Sequence, residues 1–141
     1  ASALTGVLAQ RLVKKLCNDC KQAYQPTEQE RIWLQGLTSE NLPHEFFQGS
    51  GCYQCGNSGY HGRIGVYELL EMNENLLLNL RQNNQAGFIE AAKRSDIYRP
   101  LALAALDYAR EGVTSLDEVF RITASLKDAT PTKVASQLEF E

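Results

Sequence analysis

The residues with the most chemistry to offer are four cysteines in two pairs, Cys17-Asn18-Asp19-Cys20 and Cys52-Tyr53-Gln54-Cys55, with 31 residues between the pairs. A C-x-x-C turn reverses the chain tightly enough for both thiolates to face one metal ion. Two such turns complete a tetrahedron of sulfurs, the ligand set of structural zinc. With every position filled by protein, none is left for water or substrate, so the site would hold structure and would not hydrolyse anything. Iron also accepts four thiolates. Two disulfides are the competing use of four cysteines, but two intervening residues suit a metal knuckle better, and a redox dithiol needs only one such pair. Zinc on Cys17, Cys20, Cys52 and Cys55 is the expectation.

The neighbours fit a knuckle. Gly51 precedes the second pair and Gly56 follows it, and glycines let backbone N–H groups approach sulfur. Lys14, Lys15 and Lys21 flank the first pair and read as solvated surface before they read as counter-charges. His44 and His61 are not needed as ligands and read as loop residues. The stretch from Gly56 to Arg63 superficially resembles a phosphate-binding loop, but it lacks the Gly-Lys-Ser/Thr ending that grips phosphate and magnesium. Arg63 and Glu68 read as an ordinary surface ion pair, and no residue reads as catalytic.

The elements that must position these residues follow from periodicity and caps. Leu4, Val7, Leu8 and Leu12 at helical spacing predict a helix over 3–12, with residues 11–16 suiting a short strand into the first knuckle. Thr27 with Glu30 forms a capping box for a helix over 28–36 ended by Gly36. Its Trp33 is expected to pack over the metal site, as a small metal subdomain has little other core. Residues 37–50 read as a loop pinned by Phe46 and Phe47. Residues 64–70 make the best strand, apolar enough for burial in a sheet. Beyond it, helices are expected at 74–83 with Asn73 as cap, at 86–94, at 100–111 between Pro100 and Gly112, and from Thr114 or Ser115 to about 125. Residues 127–141 read as a mobile tail.

Composition narrows the classes. The 141 residues carry 14 Lys plus Arg against 17 Asp plus Glu, a net charge of −3. A nucleic-acid binder would usually be basic, so a free-standing zinc ribbon binding nucleic acid or protein is kept only as the alternative. No apolar run approaches the ~18 residues of a membrane span. The opening Ala1-Ser2-Ala3-Leu4-Thr5-Gly6 lacks the regions of a signal peptide and reads as the middle of a longer protein.

Three stretches together carry a family resemblance: Leu8-Ala9-Gln10-Arg11-Leu12-Val13-Lys14-Lys15-Leu16-Cys17; Cys52 to Leu70, with its Gly59-Tyr60-x-Gly62-Arg63-x-Gly65-x-Tyr67-Glu68-Leu69-Leu70 ending; and Gly112-Val113-Thr114-Ser115-Leu116-Asp117-Glu118-Val119. Over residues 1–126 the chain resembles the C-terminal part of the traffic ATPases of bacterial type II secretion and type IV pilus assembly. The apolar residues 101–106, where many relatives are more polar, point to a pilus branch such as the mannose-sensitive haemagglutinin type. The resemblance implies an α+β, mostly helical fold. Residues 1–16 would be the last helix and strand of a RecA-like core, 17–55 a tetracysteine zinc insert, 56–72 a glycine-rich turn and returning core strand, and 73–126 a C-terminal helical bundle. It implies a cytoplasmic homo-hexamer, peripheral at the inner membrane and touching an inner-membrane platform protein. ATP and Mg2+ would bind only in the full-length parent. This chain lacks the phosphate-binding loop and the acidic strand end that phosphoryl transfer needs, so alone it is not expected to hydrolyse ATP.

Overall fold

Two long strands, β1 (Gly6–Leu16) and β4 (Tyr60–Glu71), pair antiparallel into a ribbon that carries everything between them at one end. The structure is a computed structural model and describes residues 4–128. The register runs from Gly6 opposite Glu71 to Leu16 opposite Tyr60, with an irregularity between Lys14 and Leu16. Between the strands the chain forms β2 (Lys21–Tyr24), helix α1 (Glu28–Leu37), β3 (Phe46–Gly49) and a single 3₁₀ turn over Tyr53–Cys55. β2 and β3 pair antiparallel, with Lys21 opposite Gly49 and Tyr24 opposite Phe46. Helices α2 (Glu74–Arg81), α3 (Gln85–Lys93), α4 (Leu101–Arg110) and α5 (Leu116–Asp128) follow β4. The architecture is α+β, with five helices and two small antiparallel sheets among the described residues.

The helix expected over 3–12 is instead the first half of β1, and the strand suspected at 11–16 is its second half. Leu8 and Leu12 do not face a core; both are about half exposed or more, and the buried positions are Val13 and Leu16. The three-residue step between these two spans the irregularity in the register, so burial along β1 departs from the period of two that marks a strand. β4 is longer than expected. Val66 and Leu70 face inward while Tyr67 and Leu69 face outward, because the ribbon has helices on one face only.

An isolated two-stranded ribbon is marginal in water, and this one is stabilised from its inner face. Val13 and Val66 of the ribbon join Leu34 of α1, Phe46 of β3, Leu101, Ala105, Leu106 and Ala109 of α4, and Leu116, Val119 and Ile122 of α5 in one core. Helices α2 and α3 bury Leu76 and Ala92 with Leu70 in a second, smaller cluster. The segment expected to be a loop over 37–50 therefore contains a strand whose Phe46 is fully buried.

Several local signals hold. Thr27 and Glu30 cap α1 reciprocally. Gly36 does not end that helix, which runs through Leu37. Asn73 accepts from the Leu76 N–H at 2.9 Å and opens α2. Gly112 has φ +76 and closes α4, with Gly112 N–H donating to Ala109 and Val113 N–H to Tyr108, the double bond of a Schellman motif. α5 continues to Asp128, so the expected tail falls, from residue 129 on, outside the described residues.

Candidate metal centre

The two cysteine pairs meet where β1 ends, β2 begins and β3 hands over to β4. Cys17 directly follows β1 and Cys20 directly precedes β2. Pairing of β2 with β3 returns the chain beside Cys20, where the Ser50 N–H and hydroxyl both donate to the Cys20 carbonyl at 3.2 Å. Cys52 and Cys55 bracket the 3₁₀ turn, which Gly56 leaves with φ +62. Gly59 then joins the two pairs: its N–H donates to Cys55 Sγ at 3.2 Å, and its carbonyl accepts the Cys17 N–H at 3.0 Å. It has φ +81, and a Cβ there would lie 2.8 Å from the Gly49 carbonyl oxygen, so only glycine fits without displacement.

The four sulfurs all lie within 4.8 Å of one another. Cys17 to Cys52 is 3.7 Å, Cys20 to Cys55 is 3.8 Å and Cys52 to Cys55 is 3.7 Å. A Zn–S bond of about 2.3 Å in a tetrahedron sets sulfurs about 3.8 Å apart, so the spacing fits a tetrathiolate ion. It does not fit disulfides, whose sulfurs stand about 2.05 Å apart, and all four cysteines are free. Cys17 and Cys20 are buried, Cys52 and Cys55 half-buried.

The thiols differ in acidity. Burial pushes Cys20 up to about 11. Burial also acts to raise Cys55, but the N–H groups of Cys52 and Gly59 and the neighbouring thiols outweigh it and bring Cys55 down to about 6. One thiol is ready to be a thiolate near neutrality and another resists, so a cation that binds all four must expel protons.

The other singled-out residues lie elsewhere. His44 lines a half-open cavity of about 350 Å³ beside α1. His61 is the second residue of β4, not a loop residue. Trp33 packs edge-to-face on Phe120 of α5, ring centroids 4.1 Å apart, so its role is to join α1 to the helices. Lys21 is not simply solvated: its Nζ donates to the Gly112 carbonyl at 3.1 Å and lies 5.5 Å from the Phe47 ring centroid. Lys14 Nζ lies 5.7 Å from the Tyr60 ring. Arg63 and Glu68 do not pair. Glu68 accepts from the Tyr98 hydroxyl at 2.6 Å and from the Leu101 N–H at 2.9 Å, fastening α4 to β4.

Sequence reasoning missed one polar junction near the centre. Three residues after Ser115, Glu118 stands at the spacing of a helix-cap partner. Ser115 Oγ does accept the Glu118 N–H, but the Glu118 carboxylate accepts the Lys14 N–H of β1 at 2.8 Å and pairs with Arg121. Thr114 donates to the Lys14 carbonyl at 2.7 Å, and Tyr60 and Ser115 share a 2.6 Å bond. The only available signal was the density of polar residues at 114–118, which fits a cap equally well.

A family model described as type II/IV secretion system protein matches residues 1–121. The chain is 37% identical over 124 residues to the type II secretion system ATPase E of Vibrio cholerae, covering 87% of this chain and 24% of that protein. It is 36% identical over 125 residues to the type IV pilus assembly ATPase TfpB of Acinetobacter baylyi, covering 86% and 21%. Against the type IV pilus assembly ATPase PilB of Thermus thermophilus the figures are 32% over 124 residues, 87% and 14%. The chain thus spans a quarter or less of the length of these relatives.

Proposed function

The chain belongs to the type II/IV secretion system protein family, and on that premise we propose that it is the zinc-stapled C-terminal region of a hexameric ATPase powering type II secretion or type IV pilus assembly. Cys17, Cys20, Cys52 and Cys55 hold one structural zinc ion, which supplies a fixed crosslink between the end of β1 and the turn before β4. The region carries force from the ATPase core to partners: an inner-membrane platform protein and neighbouring subunits. It works in the cytoplasm, peripheral to the inner membrane; no helix among the described residues is long and apolar enough to cross one. ATP and Mg2+ belong to the upstream part of the parent, and the chain alone does not turn over ATP.

One observation carries the zinc reading: three sulfur–sulfur edges of 3.7–3.8 Å in a cluster with no fifth ligand group among the described residues. The reading of β1 and β4 as part of a larger RecA-like core is supported by the ribbon itself. Lys14 and Leu16 turn their backbone groups away from β4 toward residues 113–118. By alternation Leu8 and Gln10 turn theirs to the same side, where no element of the described residues pairs with them. Leu8, Leu12, Tyr67 and Leu69 are also largely exposed. An open edge beside an apolar face is what a strand cut from its sheet would show.

The test is native mass spectrometry with elemental analysis of the purified chain. One zinc per chain is expected, lost on acidification or chelation together with structure around the knuckles. A fully structured, metal-free chain would overturn the reading, and stoichiometric iron would replace zinc in it.

A further inference from the structure

We propose that Glu40 is the bolt of a salt-sensitive latch that fastens the loop between α1 and β3 to helix α4. Arg99 Nη1 donates to Glu40 Oε1 at 3.3 Å and its Nη2 to Oε2 at 3.2 Å; Arg110 Nη2 donates to Oε2 at 3.2 Å. The receiving side is built before the bolt arrives. Asp107, on α4, grips Arg99 through Nε at 2.6 Å and Nη2 at 2.7 Å, a forked pair that fixes the guanidinium plane. Arg110 stands one helical turn beyond Asp107 on the same helix.

Apart from Leu42, which packs against the core, the loop has little else to hold it. Residues 38–45 form no helix or strand. The Thr38 N–H closes onto Leu34 and the Thr38 hydroxyl onto Glu40 itself. Among the described residues, the Glu40 carboxylate makes the only hydrogen bonds that carry this loop across to Arg99, just before α4, and to Arg110 on it. Its partners lie 59 and 70 residues away in sequence, so the latch joins the metal-bearing excursion to the C-terminal helices. Glu40, Arg99 and Asp107 are each 36–42% exposed, within reach of dissolved ions, and Arg110 is 27% exposed. Glu40 also lines the half-open cavity beside α1 together with Leu34, Leu42 and Phe46. When the bolt is drawn, the stretch around Glu40 comes away from that wall, while Leu42 and Phe46 stay on the core.

Hydrogen exchange on the metal-replete full chain tests this. Glu40→Gln should speed exchange of the Thr38 and Glu40 amides, which close onto Leu34 and the Thr38 hydroxyl, roughly three- to tenfold while β1, β4 and the cysteine turns keep their rates. The unsubstituted chain should show the same local rise when ionic strength goes from about 0.05 to about 1 M, and Glu40→Gln should then gain nothing further. The salt series decides even where the variant fails to fold. Unchanged rates at the Thr38 and Glu40 amides, or a rise spread evenly through ribbon and helices, would overturn the latch.

Discussion

At the scale of single residues, the fold depends on a few groups that have no substitute. Cys20 is buried and carries a thiol pushed up to about 11, so near neutral pH it gives up its proton in step with a cation that stabilises the thiolate. Structural zinc is worth ~10 kcal/mol or more in small peptides. Cys20→Ser should therefore abolish stoichiometric zinc and lower the melting temperature by well over ten degrees, while Asn18→Ser, on an exposed turn residue, leaves both unchanged. Gly59→Ala should act more gently. It strains a backbone at φ +81 by about 1–3 kcal/mol and crowds Gly49, so zinc should still bind but exchange out faster on competition with a chelator. Glu118 is the buried charge to test. Burial acts to raise its carboxyl, but Arg121 and the Lys14 N–H prevail and hold it below 4.5. A carboxyl depressed in the folded state contributes stability above its unfolded value, lost as pH falls through the folded one. Glu118→Gln should cost about 1.5–3 kcal/mol at pH 7, and denaturant titrations should show the gap closing as pH drops below 4.5. A gap independent of pH would remove the charge from the explanation.

At the scale of elements, local signals were legible and distant ones were not. The Thr27–Glu30 box, the Asn73 cap and the Gly112 stop each depend on residues within a turn of one another, and each appears as read. So does the meeting of the cysteine pairs, whose internal spacing already points each pair inward. The first half of β1 was misread because its partner lies more than fifty residues away. Leu4, Val7, Leu8 and Leu12 match helical spacing, and only pairing with β4 decides otherwise. Nothing in 28–36 announces Phe120 as the neighbour of Trp33, so from sequence the indole reads as a cover for the metal. The same distant packing redraws what chelation should do. Sequence alone suggests that removing zinc melts residues 17–55 and spares the helices over 74–125. Yet Leu34 and Phe46 share one core with α4 and α5, whereas α2 and α3 bury a separate cluster. Chelation should thus speed exchange most in β2, β3 and residues 50–59, to a lesser degree in α4 and α5, and least in α2 and α3. Equal loss across all five helices would show a single cooperative unit instead.

At the scale of the whole molecule, the ribbon is stabilised on one side and open on the other. Its inner face is closed by α4 and α5, and on the outer edge of β1 the Leu12 carbonyl, both Lys14 backbone groups and the Leu16 N–H are bonded by Arg121, Thr114, Glu118 and Val113. From Leu12 back to Gly6 that cover stops, and there Val7, Leu8 and Leu12 stand about half exposed or more. An uncovered edge of this kind invites pairing with any available strand. The matched stretch makes up a quarter or less of the relatives' length, and in the proposed parent the preceding core occupies the edge. Extending the chain upstream by the parent's own sequence should then slow exchange of the Leu8 and Gln10 amides by at least tenfold, leaving the Lys14 amide, already bonded to Glu118, almost unchanged. Leu8→Asp should leave the short chain's melting temperature within about a degree, since the side chain is exposed there, and should destabilise only the extended one. If the substitution harms both alike, Leu8 belongs to this unit's own packing. If it harms neither, and the Leu8 and Gln10 amides stay fast in the extended chain, the open edge is a true outer boundary and the RecA-like continuation fails.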